Sequence, residues 1–266
     1  MSDELVHLQV RDGVATVTLD SLHNRNALSG KLVSDLQRQL AAALSDGGAR
    51  VIVLTGAGPA FCSGADLKEQ REANAAGDGE PRSTGLAQGG LPAVLTAIWD
   101  SPKPVICRVN GPARAGGLGL VAACDLAIAP ESVTFAISEV RIGVIPAIIS
   151  VVLLPKLGVA RALELFLTGK TFSAAQAAEF GILTAAVPDG ELDVAVTRYV
   201  TELRKGGPAA LAGAKRLVRD VPGMPMAEAF AEMAARSARF FASGEAREGL
   251  RAFAEKRPPA WADGVD

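Results

Sequence analysis

Hydrophobic and polar residues alternate over residues 6–10 and again over 14–19, with Arg11-Asp12-Gly13 between the two runs. A period of two broken by a glycine turn predicts a β-hairpin. The period then changes. Ser29 precedes Leu32, Val33, Leu36, Leu40, Ala43 and Leu44, an apolar set at helical spacing behind a capping residue, and Gly47-Gly48 ends it. A strand follows at 51–54, so the β-α-β order predicts parallel pairing through a right-handed crossover. Residues 91–99 read as a helix, Pro102 and Pro104 lead into a strand at 105–109, and 126–129 and 133–136 are short strands. Beyond Val151 the pattern is mainly helical, over 160–167, 174–180, 192–204, 208–218, 226–241 and 246–254.

Two stretches depart from these periods. Residues 70–90 are rich in Gly, Ala, Ser and charge, with few large apolar side chains. They predict a loop or frayed helix, either a plain surface insertion or a flap over a ligand pocket. Residues 142–154 are the most apolar run, but Pro146 interrupts it and Pro155-Lys156 closes it. A bilayer span needs roughly 20 apolar residues, so a buried turn and helix near a site is the expectation.

Composition narrows the picture. The chain has 266 residues, of which 49% are hydrophobic, and a mean hydropathy of +0.25. That is ample for one large core, here placed in residues 1–200 with a helical C-terminal region over 201–266. A net charge of −2, with the basic residues scattered, points away from nucleic acid and from an anionic membrane. The acidic, polar N-terminus has no signal-peptide pattern, so a cytoplasmic location is expected. Three cysteines, Cys62, Cys107 and Cys124, form no CxxC pair or metal-ligand spacing. Cys107 and Cys124 read as small buried hydrophobes. Cys62 lacks a histidine nearby in sequence, and no G-x-S-x-G elbow supports a nucleophilic triad. Gly56-x-Gly58 lacks the third glycine of a dinucleotide fingerprint, and no Gly-Lys-Ser/Thr occurs.

The chemistry sits in two strand–glycine-loop–helix segments. In the first, strand 105–109 runs into Asn110-Gly111-Pro112-Ala113-Arg114-Ala115-Gly116-Gly117-Leu118-Gly119-Leu120, a turn opening a small-residue helix. In the second, Val51-Ile52-Val53-Leu54-Thr55-Gly56 is followed by Ala57-Gly58-Pro59-Ala60-Phe61-Cys62-Ser63-Gly64-Ala65-Asp66-Leu67-Lys68. The first amides of a helix have no internal partner and suit developing negative charge. One such loop alone would only let a helix lie close on a strand; two matched loops favour an oxyanion site. Glu139 follows in Ser138-Glu139-Val140-Arg141-Ile142-Gly143, amid Phe135, Ile137, Val140, Ile142, Val144 and Ile145. Desolvation there raises a carboxyl pKa toward acid/base use. Asp66 suits a helix cap.

These segments resemble the crotonase family, also called the enoyl-CoA hydratase/isomerase superfamily. The resemblance runs from His23-Asn24-Arg25-Asn26-Ala27-Leu28 to Glu248-Gly249-Leu250-Arg251-Ala252-Phe253-Ala254-Glu255-Lys256. It implies an α/β fold, a crotonase-like spiral of β-β-α units with a C-terminal helical trimerisation region, and hence a homotrimer or dimer of trimers. It implies an acyl-CoA thioester whose oxygen is held by the amides of Ala65 and Gly116. Asp66, Leu67, Gly117 and, toward the nucleotide end, Lys68 and Lys256 would contact the same substrate; a solvated lysine is the plainer reading of the last two. Coenzyme A enters as part of the substrate, with no separate cofactor and no metal.

One position departs from the family. Hydratases of the best-known kind carry two glutamates; the first aligns with Gly119, the second with Glu139. The motifs are similar to bacterial methylglutaconyl-CoA-type hydratases of leucine or acyclic-terpene breakdown, which also lack the first. Glu139 would then perform both proton transfers. Gly119 would open volume, and Arg114 would clamp a distal carboxylate or else serve structure alone. Three readings stay open: hydration of a 2-enoyl-CoA, 3,2-enoyl-CoA isomerisation by a single base, and acyl-CoA binding without catalysis.

Overall fold

The N-terminal alternation closes as a hairpin of β1 (Val6–Arg11) and β2 (Val14–Leu19), with Val6 opposite Leu19 and Arg11 opposite Val14. The computed structural model describes residues 4–75, 89–262 and 264. Helix α1 (Gly30–Ser45) starts where the Ser29 hydroxyl accepts the Leu32 amide, and it buries Leu32, Val33, Leu36, Leu40 and Ala43. The chain then crosses to β3 (Val51–Gly56), parallel to β2.

Next come α2 (Leu67–Ala75), α3 (Leu91–Trp99), β4 (Val105–Arg108), β5 (Ala113–Arg114), α4 (Gly116–Ala123), β6 (Leu126–Pro130) and β7 (Thr134–Ala136). A 3-10 turn, Glu139–Ile142, leads to α5 (Ala147–Thr168), β8 (Thr171–Ser173), α6 (Ala174–Glu179), β9 (Ala185–Val187) and α7 (Leu192–Lys205). Helices α8 (Pro208–Asp220), α9 (Met226–Phe241) and α10 (Gly244–Ala254) complete the chain.

The strands form two sheets. The larger runs β1-β2-β3-β4-β6-β9, antiparallel only between β1 and β2; the smaller runs β5-β7-β8. Every residue of β3 is buried, as a parallel strand covered on both faces requires. On one side Ile52 and Leu54 join the main core with α1, α3 and α4. On the other, Val51, Val53, Ile106 and Ile128 meet Leu192, Val196 and Val200 of α7. Helix α8 docks through charge. Asp125, at the end of α4, accepts from Lys215 at 2.8 Å and Arg219 at 3.0 Å, and Arg219 lies over the Trp99 ring. Among the described residues no helix is long and apolar enough to cross a membrane.

Several expectations are corrected. The 142–154 run is not buried throughout: Ile145 is 74% and Val151 72% exposed, because α5 buries only the stripe containing Ile149, Val152 and Leu153. That helix begins well before residue 160. A break at Gly158 (φ +65°) just after Pro155 splits it, so the helix expected within 142–154 and the one expected over 160–167 are its two halves. Segment 70–90 opens as regular helix in α2, and 76–88 lie outside the described residues.

Candidate active site

The two glycine loops lie side by side. Phe61 donates its amide to the Pro112 carbonyl at 3.2 Å, and Arg114 donates to the Cys62 carbonyl at 3.0 Å. Cys62 and Ala113 form a parallel bridge. On the outer flank Ser63 donates to the Arg25 carbonyl and Leu28 to the Gly64 carbonyl, so Leu28 bridges Ala65. That bridge uses the carbonyl of Gly64; the amide of Ala65 points to the opposite side. There Gly64 (φ +89°) touches the other loop: a Cβ on it would lie 2.9 Å from the Ala115 Cβ. Ala65 and Gly116 are the next residues along each loop.

Ala115 holds φ +47°, a strained value for a residue with a Cβ. Its amide is anchored on the Ala136 carbonyl at 3.0 Å. Gly116 and Gly117 then head α4, with no carbonyl one turn earlier to take their amides. Both are closely packed, Gly117 against backbone and Gly116 against the end of a leucine side chain. A Cβ on Gly116 would meet Leu28 at 2.7 Å, and one on Gly117 the Cys62 carbonyl oxygen at 2.5 Å.

Glu139 reaches the same place by the second sheet. Strands β5 and β7 are parallel, with Arg114 beside Ala136, so both chains leave the sheet at one end: β5 into α4, β7 into Glu139. Burial lifts the Glu139 carboxyl above the ordinary range, only partly opposed by a hydrogen bond to its own backbone. Its Oε2 is buried without a hydrogen-bond partner among the described residues. Arg141, two residues on, turns away and donates to the Gly169 and Thr168 carbonyls at 3.0 and 3.1 Å, so it forms no ion pair with Glu139. A partly buried carboxyl with one oxygen left unpartnered is suited to exchange a proton with a bound molecule.

The remaining expected residues divide. Asp66 caps α2, accepting from the Lys68 and Glu69 amides at 3.1 and 3.2 Å and from Asn24 Nδ2 at 3.0 Å. Burial pulls its pKa up, but those donors hold it below the ordinary value. Leu67 and Lys68 lie exposed on the first turn of α2, with the Lys68 head 3.9 Å from Glu72. Lys256 is exposed in the turn after α10 (φ +53°), and no hydrogen bond or ion pair ties it to these loops within the described residues.

At the acyl end the structural reading of Arg114 fits, and the space expected beside Gly119 is filled. Arg114 is no free clamp: Nη1 donates to the Thr134 and Ala113 carbonyls and Nη2 to the Thr134 hydroxyl at 2.7 Å, tying β5 to β7. Gly119 opens no volume, because Ile149 fills it: a Cβ there would lie 2.5 Å from Ile149 Cγ2. Cys62 is wholly buried under α4 and its thiol is pushed up to about 12 by burial, which removes it as a nucleophile.

Sequence reasoning missed Asn26 and Asn110 as builders of the site. Asn26, fully buried at φ +57°, donates from Nδ2 to the Ala57, Ala60 and Phe61 carbonyls at 3.0–3.1 Å, and its Oδ1 accepts the Ser21 amide. The signal was an asparagine inside each motif, a residue suited to left-handed backbone and to paired donor–acceptor bonds.

A family model described as enoyl-CoA hydratase/isomerase matches residues 9–264. A Thermus thermophilus protein provisionally named an enoyl-CoA hydratase is 36% identical over 253 residues, covering 95% of this chain and 99% of its own. The carnitinyl-CoA dehydratase of Salmonella typhi is 34% identical, covering 97% and 98%. The crystal structure of an enoyl-CoA hydratase from Shewanella pealeana superposes with a TM-score of 0.90 at 30% identity, covering 97% of this chain and 96% of its own.

Proposed function

Because this chain belongs to the enoyl-CoA hydratase/isomerase family, we propose that it adds water across the C2–C3 double bond of a 2-enoyl-CoA, or runs the reverse dehydration. The observation that carries this reading is the buried Oε2 of Glu139, without a hydrogen-bond partner among the described residues, on the chain that leaves the small sheet at the end where β5 passes into α4. In the proposed cycle the thioester oxygen accepts from the Ala65 and Gly116 amides. Glu139 takes a proton from water as its oxygen bonds to C3, and the C2–C3 electron pair moves onto the thioester as an enolate. The enolate then collapses and C2 takes that same proton from Glu139, so one water is added and the carboxylate is regenerated. Each preorganised amide of this kind contributes on the order of 3 kcal/mol to lowering the barrier.

The methylglutaconyl-CoA-type reading came from the resemblance of the motifs, and the added argument for a terminal carboxylate rested on Arg114 and Gly119; Arg114 is tied to Thr134 and Ala113, and Ile149 fills the space at Gly119. The proposed acyl group is therefore apolar. Supporting this, a cavity of about 420 Å³ between α3 and α5 is lined mainly by apolar residues, Leu95, Trp99, Ile148 and Val152 among them, together with Thr96 and Asp100. The proposed assembly is a trimer or a dimer of trimers, in which copies cover the open apolar residues of α9 and α10: Met226 (77% exposed), Phe230 (71%) and Phe253 (84%).

Isomerisation is the second reading, favoured by the single carboxylate, since moving a double bond needs one base shuttling one proton. Purified protein assayed with crotonyl-CoA, 3-methylglutaconyl-CoA and a 3-enoyl-CoA separates the readings. Hydration of crotonyl-CoA exceeding that of the dicarboxylic thioester is expected. Turnover of the 3-enoyl-CoA alone would replace hydratase with isomerase, and turnover of none would leave only binding.

A further inference from the structure

The two loops that end in Ala65 and Gly116 are joined by short, glycine-rich backbone pairing, which by itself specifies register weakly. Their pairing begins at Gly111, where a Cβ would lie 2.4 Å from the Pro59 carbonyl oxygen. It continues through Phe61–Pro112 and Cys62–Arg114 to the Gly64–Ala115 contact. A slip of one residue would carry the two amides past each other. Asn110 stands at the open end. Its backbone belongs to the α4 loop, but its side chain belongs to the other: Oδ1 accepts the Gly56 amide at 3.0 Å, and Nδ2 donates to the Gly58 carbonyl at 2.9 Å. Both bonds break in any other register.

We propose that Asn110 is a positioning residue that locks the register of the two loops and so the separation of the Ala65 and Gly116 amides; the proposal rests on the oxyanion-hole reading above. It touches no substrate. Asn26 grips the same loop from its far side, but its partners all lie on that loop and on the preceding turn. Of the two asparagines, Asn110 is the one that spans both loops.

The test uses the full chain, the variants Asn110→Ala and Asn110→Asp, and butyryl-CoA labelled with carbon-13 at the thioester carbonyl as a saturated, unreactive probe. Infrared difference spectra report how strongly the bound carbonyl is polarised. Wild-type protein is expected to shift the carbonyl stretch to lower frequency. Both variants should bind the probe with near wild-type affinity yet show a smaller shift. Their kcat for hydration should fall about 10²-fold at unchanged KM, the loss that a misplacement of roughly 1 Å brings. The aspartate keeps the acceptor for Gly56 and loses the donor to Gly58, so it guards against a collapsed alanine variant. Variants with the wild-type shift and kcat overturn the proposal. So does loss of binding in step with lost thermal stability, which would make Asn110 merely structural. A wild-type protein that leaves the stretch unshifted overturns the oxyanion-hole reading itself.

Discussion

Ile149 stands where a side chain at position 119 would go: a Cβ built on Gly119 would lie 2.5 Å from Ile149 Cγ2 and 3.2 Å from its Cβ. The glycine in place of the usual first glutamate is thus matched by a branched residue on α5, and the two helices meet at a spacing set for that pair.

The first prediction follows from that contact. Gly119→Glu should fail to create a two-glutamate site and should destabilise the protein. Overpacking alone costs typically about 1–3 kcal/mol, and an unpaired buried carboxylate adds to it. Adding Ile149→Ala should recover part of the loss by making room. Chemical denaturation of the single and double variants measures both; a single variant as stable as wild type would mean that α5 moves aside freely.

Arg114→Met should lower stability without altering substrate choice. Its guanidinium bonds to Thr134 hold β5 against β7, and losing them should cost about 1–3 kcal/mol. The ratio of kcat/KM for crotonyl-CoA to that for an enoyl-CoA with a terminal carboxylate should stay at the wild-type value. A selective loss on the dicarboxylic thioester would restore Arg114 as a carboxylate clamp.

How far the sequence reveals the site depends on which physical signal each part leaves. The hairpin, α1 and β3 were legible because alternation and helical spacing run long enough there to register. In the smaller sheet only β7, the strand that leads to Glu139, was legible, as 133–136; its 2- and 3-residue partners β5 and β8 are too short to alternate, so the sheet itself left no pattern. The glycine loops were legible as loops, since glycine marks close backbone approach. The fates of Arg114 and Gly119 were not, because each is decided by a residue distant in sequence, Thr134 or Ile149. The exposed stripe of α5 misled for a related reason: composition reports that residues are apolar but not which face the chain's own core covers.

Asp125→Asn should loosen the C-terminal helices. Lys215 is 8% and Arg219 13% exposed at the side chain, and both depend on Asp125. Burial holds the Lys215 pKa below the ordinary value, with Asp125 pulling it back up; without that carboxylate only the neutral Ile98 carbonyl, at 3.1 Å, faces the buried charge in its place. Breaking a buried pair from one side costs roughly 3–5 kcal/mol. Limited proteolysis should cut near α8 faster than in wild type, while the hairpin end stays protected. Unchanged cleavage would show that α8 is held by its apolar contacts instead.

Glu139→Gln separates catalysis from stability, and the two should move in opposite directions. As the proposed proton-exchanging carboxylate, Glu139 should contribute about 10²–10⁴-fold to turnover, so the amide should lose that much kcat while still binding acyl-CoA. Stability follows from the direction of the pKa shift. Burial raises the folded-state pKa above the ordinary glutamate value of 4.5, so the native protein holds this proton to higher pH than the unfolded chain does. The stability contributed by protonated Glu139 is therefore complete below about pH 4.5. It is lost as pH rises through the raised folded value, beyond which the native state carries a desolvated charge. The glutamine variant carries none at any pH. Its Tm should exceed that of wild type at pH 7–8, and the gap should close as the pH is lowered toward 4.5. A Tm difference independent of pH would mean that Glu139 is ionised and solvated as freely in the native state as in the unfolded one, and the general-base assignment would lose its physical ground.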